Sequence, residues 1–352
     1  MKRTLFRTAA IVFFSVIILA AVIIGLFWNE LRSLSSLKRL DSYGMFQMTY
    51  YGDYGFAEFL KTGAKKDSDI EAFVTKRLLK GLPIDLGVTG DGCTAFVTRN
   101  EAGELLYGRN FDFSYAPSLQ VFTRPKGGYA SVSTVNLAFA GYTADNLPDG
   151  MRLQSFLTLA APFLPFDGMN EKGLAIALLA VPEANPGYDQ NKITLNTTTA
   201  IRLMLDYAET VEEAVALLKN YNIYFSADVM CHYLIADASG KSVIVEFWDG
   251  ALQTVEAEAP YQIASNFIAY QGLNIGEGYN EFERYDAVVK AIEDTHGVLS
   301  MEQAVGILRS VGIRDDLEDK LQWSVIYNLS TREGTIFAHR NTANQVSFAL
   351  DL

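Results

Sequence analysis

Four short stretches do most to limit what this chain can fold into: Asn100-Glu101-Ala102-Gly103, Asn170-Glu171-Lys172-Gly173, Asp237-Ala238-Ser239-Gly240 and Thr331-Arg332-Glu333-Gly334. Each lies between two apolar, β-prone runs. A type I turn closed by a glycine at positive φ is the connection such sequences favour. Antiparallel hairpins follow, with strands predicted over 174–181, 242–248 and 335–339. Helices are predicted between the hairpins, over 199–207 and 281–293. Thr210-x-x-Glu213 opens another through 219, and Ser300-x-x-Gln303 caps one through 311. Hairpins alternating with paired helices predict an α+β chain, two antiparallel sheets held between helical layers.

The N-terminal quarter differs. Lys2, Arg3 and Arg7 precede an uncharged run from 9 to 28. As a helix rising about 1.5 Å per residue, that run spans roughly the 30 Å of a bilayer's hydrocarbon core. It lacks the short apolar region and small-x-small site of a cleaved signal peptide, so residues 1–28 read as a transmembrane anchor, the bulk of the chain lying outside the cytoplasm. Residues 29–92 read as a connecting segment with a helix of its own. Ser68-x-x-Glu71 is a capping box, Ile70, Phe73, Val74 and Leu78 share one helical face, and Gly81 with Pro83 ends it. That apolar face, and the aromatic stretch 45–51, call for a partner surface. Residues 93–352 form the remaining domain.

Composition removes several function classes. A formal charge of −12 argues against nucleic acid as a partner. Three scattered histidines, His232, His296 and His339, and two cysteines without a C-x-x-C or H-E-x-x-H spacing argue against a metal site. No G-x-S-x-G, G-x-G-x-x-G or Walker motif is present.

What remains is Cys93. It heads a strand-forming run and follows the flexible Gly90-Asp91-Gly92, whereas a structural cysteine more often sits inside a strand. Arg109 and Asp112 follow at a spacing of three. Two readings stay open from these residues: a nucleophile made N-terminal by cleavage of the Gly92–Cys93 bond, or a half-buried strand cysteine. A disulfide with Cys231 is the structural form of the second.

Gly92-Cys93-Thr94, Gly108-Arg109-Asn110-Phe111-Asp112, the run Asp167-Gly168-Met169-Asn170-Glu171-Lys172-Gly173-Leu174-Ala175 and Ile263-Ala264-Ser265-Asn266 together resemble the choloylglycine hydrolase family. Its members include conjugated bile acid hydrolases, penicillin V acylases and the acid amidase branch. The resemblance covers 93 to the C-terminus and implies a four-layer αββα sandwich of the N-terminal-nucleophile (Ntn) hydrolase type, acting on linear amides without cofactor or metal. Carried over by motif, Cys93 is the nucleophile and its freed α-amine the base. Asp112 holds that amine, and Arg109 stands by the sulfur. Asn266 and the backbone N–H of Ala180 form the oxyanion hole, and Arg284 lies near the nucleophile. Relatives often carry Asn or Tyr where this chain has Ala180, so a side chain that contacts substrate is missing here. Read locally instead, Arg109 and Asp112 are a surface ion pair, Asn266 ends a strand, and Arg284 is a solvated charge at a helix start. Cys231 and His232, adjacent on a strand and so facing opposite sides, read as structural.

The implied substrate is a small amphipathic or aromatic N-acyl amide, and the membrane is a partner through the N-terminal helix. An acyltransferase on the same scaffold is the alternative, with an amine in place of water. A non-catalytic anchored binding module with a Cys93–Cys231 disulfide is the third reading.

Overall fold

The structure, a computed structural model, describes residues 13–15, 17–19, 22, 24–84, 92–150, 152–276, 278, 280–314 and 320–350. Two sheets carry it. The first has nine strands in the order β1 (Lys38–Arg39), β2 (Met45–Tyr50), β5 (Ser118–Thr123), β6 (Ser131–Asn136), β7 (Pro165–Asn170), β8 (Ala175–Ala180), β11 (Cys231–Ala236), β12 (Ser242–Trp248) and β13 (Ala251–Glu256). The second has six, ordered β14 (Gln262–Ala264), β3 (Gly92–Arg99), β4 (Leu105–Asp112), β17 (Leu321–Asn328), β18 (Glu333–Ala338) and β19 (Val346–Ala349). Two small ribbons complete the strands: β9 (Ile193–Asn196) with β10 (Tyr221–Tyr224), and β15 (Phe267–Ile268) with β16 (Ile275–Gly276).

The helices are α1 (Phe13–Leu26), α2 (Trp28–Ser35), α3 (Phe56–Phe59), α4 (Asp67–Arg77), α5 (Thr197–Tyr207), α6 (Val211–Leu218), α7 (Glu281–Glu293) and α8 (Met301–Val311). The α5–α6 pair packs with the nine-stranded sheet and α7–α8 with the six-stranded one, giving the expected αββα order. Strand alternation sorts the core accordingly. Ala95, Val97, Tyr107, Val325 and Tyr327 face the space between the sheets. Phe96, Leu106 and Ile326 point the other way, against Val288, Ile292 and Leu308 of the helices.

The turn chemistry holds at three of the four sites, where Gly103, Gly173 and Gly240 have φ of 78°, 84° and 97°. In the fourth the positive φ falls on Arg332 at 63°. The predicted 335–339 strand accordingly begins earlier, at Glu333, leaving Gly334 inside it. Ser300 and Gln303 make the capping box proposed for them, and Thr210 caps α6. The box at Ser68 does not form: α4 begins at Asp67, with Lys66 as its N-cap and no side-chain cap bond. Ile70, Val74 and Leu78 are buried as the helical face required.

The N-terminal segment differs most from a mere connection. Its β2 pairs in parallel with β5 along six residues, so the larger sheet is mixed where two antiparallel sheets were expected. Phe56, Phe59 and Phe73 cluster around Phe163 with ring centroids 5.3–5.7 Å from it. Tyr54 reaches the interior, its hydroxyl donating to Asp206 at 2.7 Å. Asp206 is itself paired with the buried Arg202 at 3.3 Å.

Much of the proposed anchor lies outside the described residues. Among the described residues no single helix is long and apolar enough to cross a membrane, and α1 with α2 meets the requirement only as a pair bent by 72°.

Candidate active site

Cys93 is the second residue of β3, with its side chain on the face between the sheets, and it is buried. Register places its neighbours. Gly92 lies opposite Asp112 across the β3–β4 ladder, Cys93 opposite Phe111, and Ala95 opposite Arg109. Arg109 thus shares the inter-sheet face with Cys93, one diagonal step away, and Asp112 ends its strand beside Gly92.

The polar side chains converge on this one cysteine. Arg109 Nη2 donates to Cys93 Sγ at 3.6 Å and to the Leu178 carbonyl at 3.2 Å. The Cys93 N–H donates to Asn266 Oδ1 at 2.7 Å. Arg284, on the first turns of α7, donates to the Cys93 carbonyl at 2.8 Å, to Thr94 Oγ1 at 2.6 Å and to Asn266 Oδ1 at 2.7 Å. Two donors on Oδ1 fix the amide's orientation, and Nδ2 donates to the Ala180 carbonyl at 2.8 Å. The second Nδ2 hydrogen has no partner assigned by that bond. Asp112 Oδ1 accepts from the Ile313 N–H at 2.7 Å. Among the described residues its buried Oδ2 has no hydrogen-bond partner, and it lies 3.9 Å from Arg284 Nη1.

These contacts set the acid–base balance. Burial pushes the Cys93 thiol up; Arg109, Arg284 and the Ala180 backbone N–H pull it down, and Asp112 adds to the rise. Burial likewise pushes the Asp112 carboxyl up to about 6 against the pull of Arg284 and the Ile313 N–H. Arg284 is shifted down by its burial.

All six residues singled out in the sequence, Cys93, Arg109, Asp112, Ala180, Asn266 and Arg284, therefore meet at one place. The local readings fail for a physical reason: Arg109 and Asp112 are fully buried and Arg284 is 7% exposed, so none is a solvated surface charge. Both cysteines are free, which removes the disulfide on which the binding-module reading stood. His232 pairs with Glu246 at 3.1 Å, both side chains buried. Cys231, read as structural, instead lines the same cavity as Cys93.

Asp167 opens the motif 167–175, and the sequence assigns it no role. Its carboxylate lies 3.2 Å from Arg109 Nε and accepts from Trp323 Nε1 at 3.0 Å and Tyr327 Oη at 2.7 Å. It is the counter-ion that holds Arg109 in place. Only the packing of β7 against the facing sheet reveals that, although an Asp inside an apolar strand is a signal.

The cavity beside Cys93 is narrow, with a volume of about 50 Å³. Its walls are mostly apolar, formed by Phe111, Phe113, Phe139, Phe166, Leu178 and Val229, with Asn196, Thr197, Thr198 and Ser226 at one side. Phe111 is locked by stacking on Trp323 at 4.1 Å. A rigid apolar chamber opening onto a polar cluster is the usual form of a small-molecule site.

Residues 93–303 match the profile of the linear amide C–N hydrolases of the choloylglycine hydrolase family, well over half of the chain. The chain belongs to the choloylglycine hydrolase family. Among curated relatives, the bile salt hydrolase/transferase of Clostridium perfringens (strain 13 / Type A) is 29% identical over 164 residues, 44% of this chain and 47% of that protein. The penicillin V acylase of Pectobacterium atrosepticum is 31% identical over 113 residues, 28% and 29% of the two chains. The chain thus matches about half the length of these relatives or less. Among solved structures, the conjugated bile acid hydrolase of Clostridium perfringens gives a TM-score of 0.52 at 18% identity, covering 73% of this chain and 92% of that one. Penicillin V acylase from Agrobacterium tumefaciens gives 0.51 at 19%, covering 70% and 83%. Both share the fold of this choloylglycine hydrolase family member.

Proposed function

We propose that this chain hydrolyses the amide bond of a small N-acyl substrate through an N-terminal cysteine, after cutting itself between Gly92 and Cys93. One observation carries the reading: Cys93 has both its sulfur and its nitrogen held by separate buried polar side chains, Arg109 and Asn266. A packing cysteine needs neither.

Maturation comes first, because an acylated nitrogen cannot accept the thiol's proton. Attack of Cys93 Sγ on the Gly92 carbonyl forms a C–S bond. The C–N bond then breaks and the nitrogen takes up a proton. Water hydrolyses the resulting thioester, leaving a Gly92 carboxylate and a free α-amine. Gly92 suits the crowding there, since a Cβ would run into the Ile313 side chain. Asp112 lies directly opposite Gly92 with Oδ2 unpartnered among the described residues, a ready counter-charge for the new ammonium.

In turnover the α-amine removes the thiol proton and the thiolate attacks the substrate carbonyl. Arg109 steadies the thiolate, which burial alone would disfavour. The Ala180 N–H and the second Asn266 Nδ2 hydrogen serve the oxyanion. Arg284 acts on position, holding the Cys93 carbonyl and Asn266 together. The α-ammonium returns its proton to the leaving amine, and water resolves the thioester. The apolar chamber takes the acyl group, so a hydrophobic or aromatic acyl on a small polar amine is the substrate class. An amine in place of water would make the chain a transferase, and the name of the Clostridium perfringens relative includes both activities. The apolar run 9–28 is proposed as a membrane anchor holding the enzyme outside the cytoplasm, a reading its composition supports.

The test pairs a denaturing gel with an activity screen on N-acyl glycines, conjugated bile salts and phenoxyacetyl amides. The active parent should run as two bands with Cys93 as a new N-terminus, and Cys93→Ala as one inactive band. An active chain that stays whole, or turnover by Cys93→Ala, refutes the reading. An added amine acceptor separates hydrolysis from transfer.

A further inference from the structure

The wall of the chamber that includes Ser226 and Val229 is held from outside the catalytic domain. It belongs to the loop after β10, where Ala227 and Asp228 have φ of 52° and 57°. Two consecutive non-glycine residues in the left-handed region are strained, and such backbone persists only where its surroundings over-determine it. Here the determinant is Asp67, the first residue of α4 in the N-terminal segment. Its Oδ1 accepts from Ser226 Oγ at 2.6 Å and from Tyr224 Oη at 3.1 Å, and its Oδ2 accepts from the Ala227 N–H at 3.0 Å. All three donors lie on or beside the strained turn.

The linkage continues into the chamber. Ser226 Oγ also accepts from Asn196 Nδ2 at 2.6 Å. Asn196 caps α5 through the Thr199 N–H at 2.8 Å, and Asn196, Thr197 and Thr198 are themselves wall residues. The segment is docked at this place by backbone as well, the Ala64 N–H donating to the Thr194 carbonyl at 2.9 Å. Start of the helix at Asp67 fits the same geometry, for the carboxylate serves the facing loop instead of the helix end.

We propose that Asp67 is a positioning residue for the acyl chamber, and that through it the N-terminal segment sets which acyl groups the enzyme prefers. The proposal rests on the reading that this chamber holds the acyl group. Without the carboxylate, the left-handed turn loses the three bonds that tie it to the N-terminal segment. The loop then relaxes toward ordinary φ values, and the Ser226–Val229 wall loses its fixed place. A loosened wall discriminates less by size, whereas damage to the nucleophile would scale all substrates alike.

The experiment measures kcat/KM on N-acetyl-, N-phenylacetyl- and N-decanoylglycine for the full chain carrying Asp67→Ala or Asp67→Asn, beside the parent. Self-cleavage is followed on a gel. In Asp67→Ala the ratio between bulky and small acyl groups should shift about tenfold or more, the discrimination one methylene carries in an apolar pocket. Asp67→Asn should fall between, since its single oxygen can still accept from Ser226. A ratio within about twofold of the parent's in Asp67→Ala overturns the proposal. Should that variant fail to fold, Asp67→Asn and Ser226→Ala decide by the same ratio, and unchanged ratios in both overturn it. A parent that hydrolyses none of the three, nor any conjugated bile salt or phenoxyacetyl amide, refutes the amidase reading itself, a separate outcome; where it cleaves only those, the same ratio is read between them.

Discussion

Replacing Asp167 with asparagine should cost this protein both stability and activity, and the structure sets the size of the first effect. Arg109 is fully buried, with its Nε 3.2 Å from Asp167 Oδ2 as its one ion pair among the described residues. The same carboxylate accepts from Trp323 and Tyr327. Asparagine keeps the volume and one acceptor but removes the charge, and turns an amide donor toward groups that already donate. Breaking a buried pair in this way typically costs about 3–5 kcal/mol, because the other charge is left uncompensated. For a chain of 352 residues, unfolding entropy of about 2.1 cal/mol/K per residue makes each kcal/mol lower Tm by roughly 1.4 °C, so a fall of about 4–7 °C is expected by calorimetry. Removing the orphaned charge as well, in Asp167→Asn with Arg109→Met, should restore much of the stability while activity stays lost, since no cation then faces the sulfur. A Tm within about 3 °C of the parent for the single variant, or a double variant less stable than the single one, would refute the argument from charge compensation.

Arg109→Lys keeps the charge yet should lose most of kcat, since an ammonium cannot reach the sulfur, Leu178 and Asp167 in one planar arrangement; kinetics on cleaved protein check this. Activity should fall on acidification. Asp112 is needed as a carboxylate, burial pushes it up to about 6 in the uncut chain, and the new ammonium beside it lowers it again. The α-amine must also be neutral to take the thiol proton, so kcat/KM should show one acid limb set by that amine and a further one at or below about 6 set by Asp112; the lower limb should vanish in Asp112→Asn, and its persistence there would contradict the assignment. After cleavage the two pieces should co-purify through a six-residue parallel strand and the buried Met45, Phe46, Met48, Phe56, Phe59, Ile70 and Val74. At roughly 1.5–3 kcal/mol per side chain these contribute on the order of 10–20 kcal/mol, against about 4–15 kcal/mol lost in holding a separate chain. Separation of the pieces by gel filtration without denaturant would refute it.

What was legible in the sequence was what local chemistry dictates. Glycines that close type I turns gave the hairpins, and Ser300 and Thr210 gave helix starts, because each satisfies backbone groups within four residues of itself. The site residues were legible only as a pattern. Taken singly, Asn266 or Arg284 has no local mark of a role; their partners are Cys93 and Thr94, more than 170 residues away in the chain. Asp167 was missed for the same reason, its three partners lying on β4 and β17 of the facing sheet. The capping box at Ser68 failed where a tertiary demand on Asp67 outweighed a local preference.

The same tension explains the N-terminal segment. Its apolar helical face shows that it packs on something, but parallel pairing of β2 with β5 joins residues some seventy positions apart, and no local pattern specifies that register. The consequence reaches the chemistry. A segment that only delivered the Gly92–Cys93 bond could leave once the bond is cut. This one supplies two edge strands of the larger sheet, a Tyr54 hydroxyl to the buried Asp206, and an Asp67 carboxylate to the chamber wall. Its loss would expose the β5 edge and take one partner from each polar cluster, costs that grow because these groups are buried. The proposed cleavage at Cys93 would therefore free a nitrogen while leaving the molecule assembled.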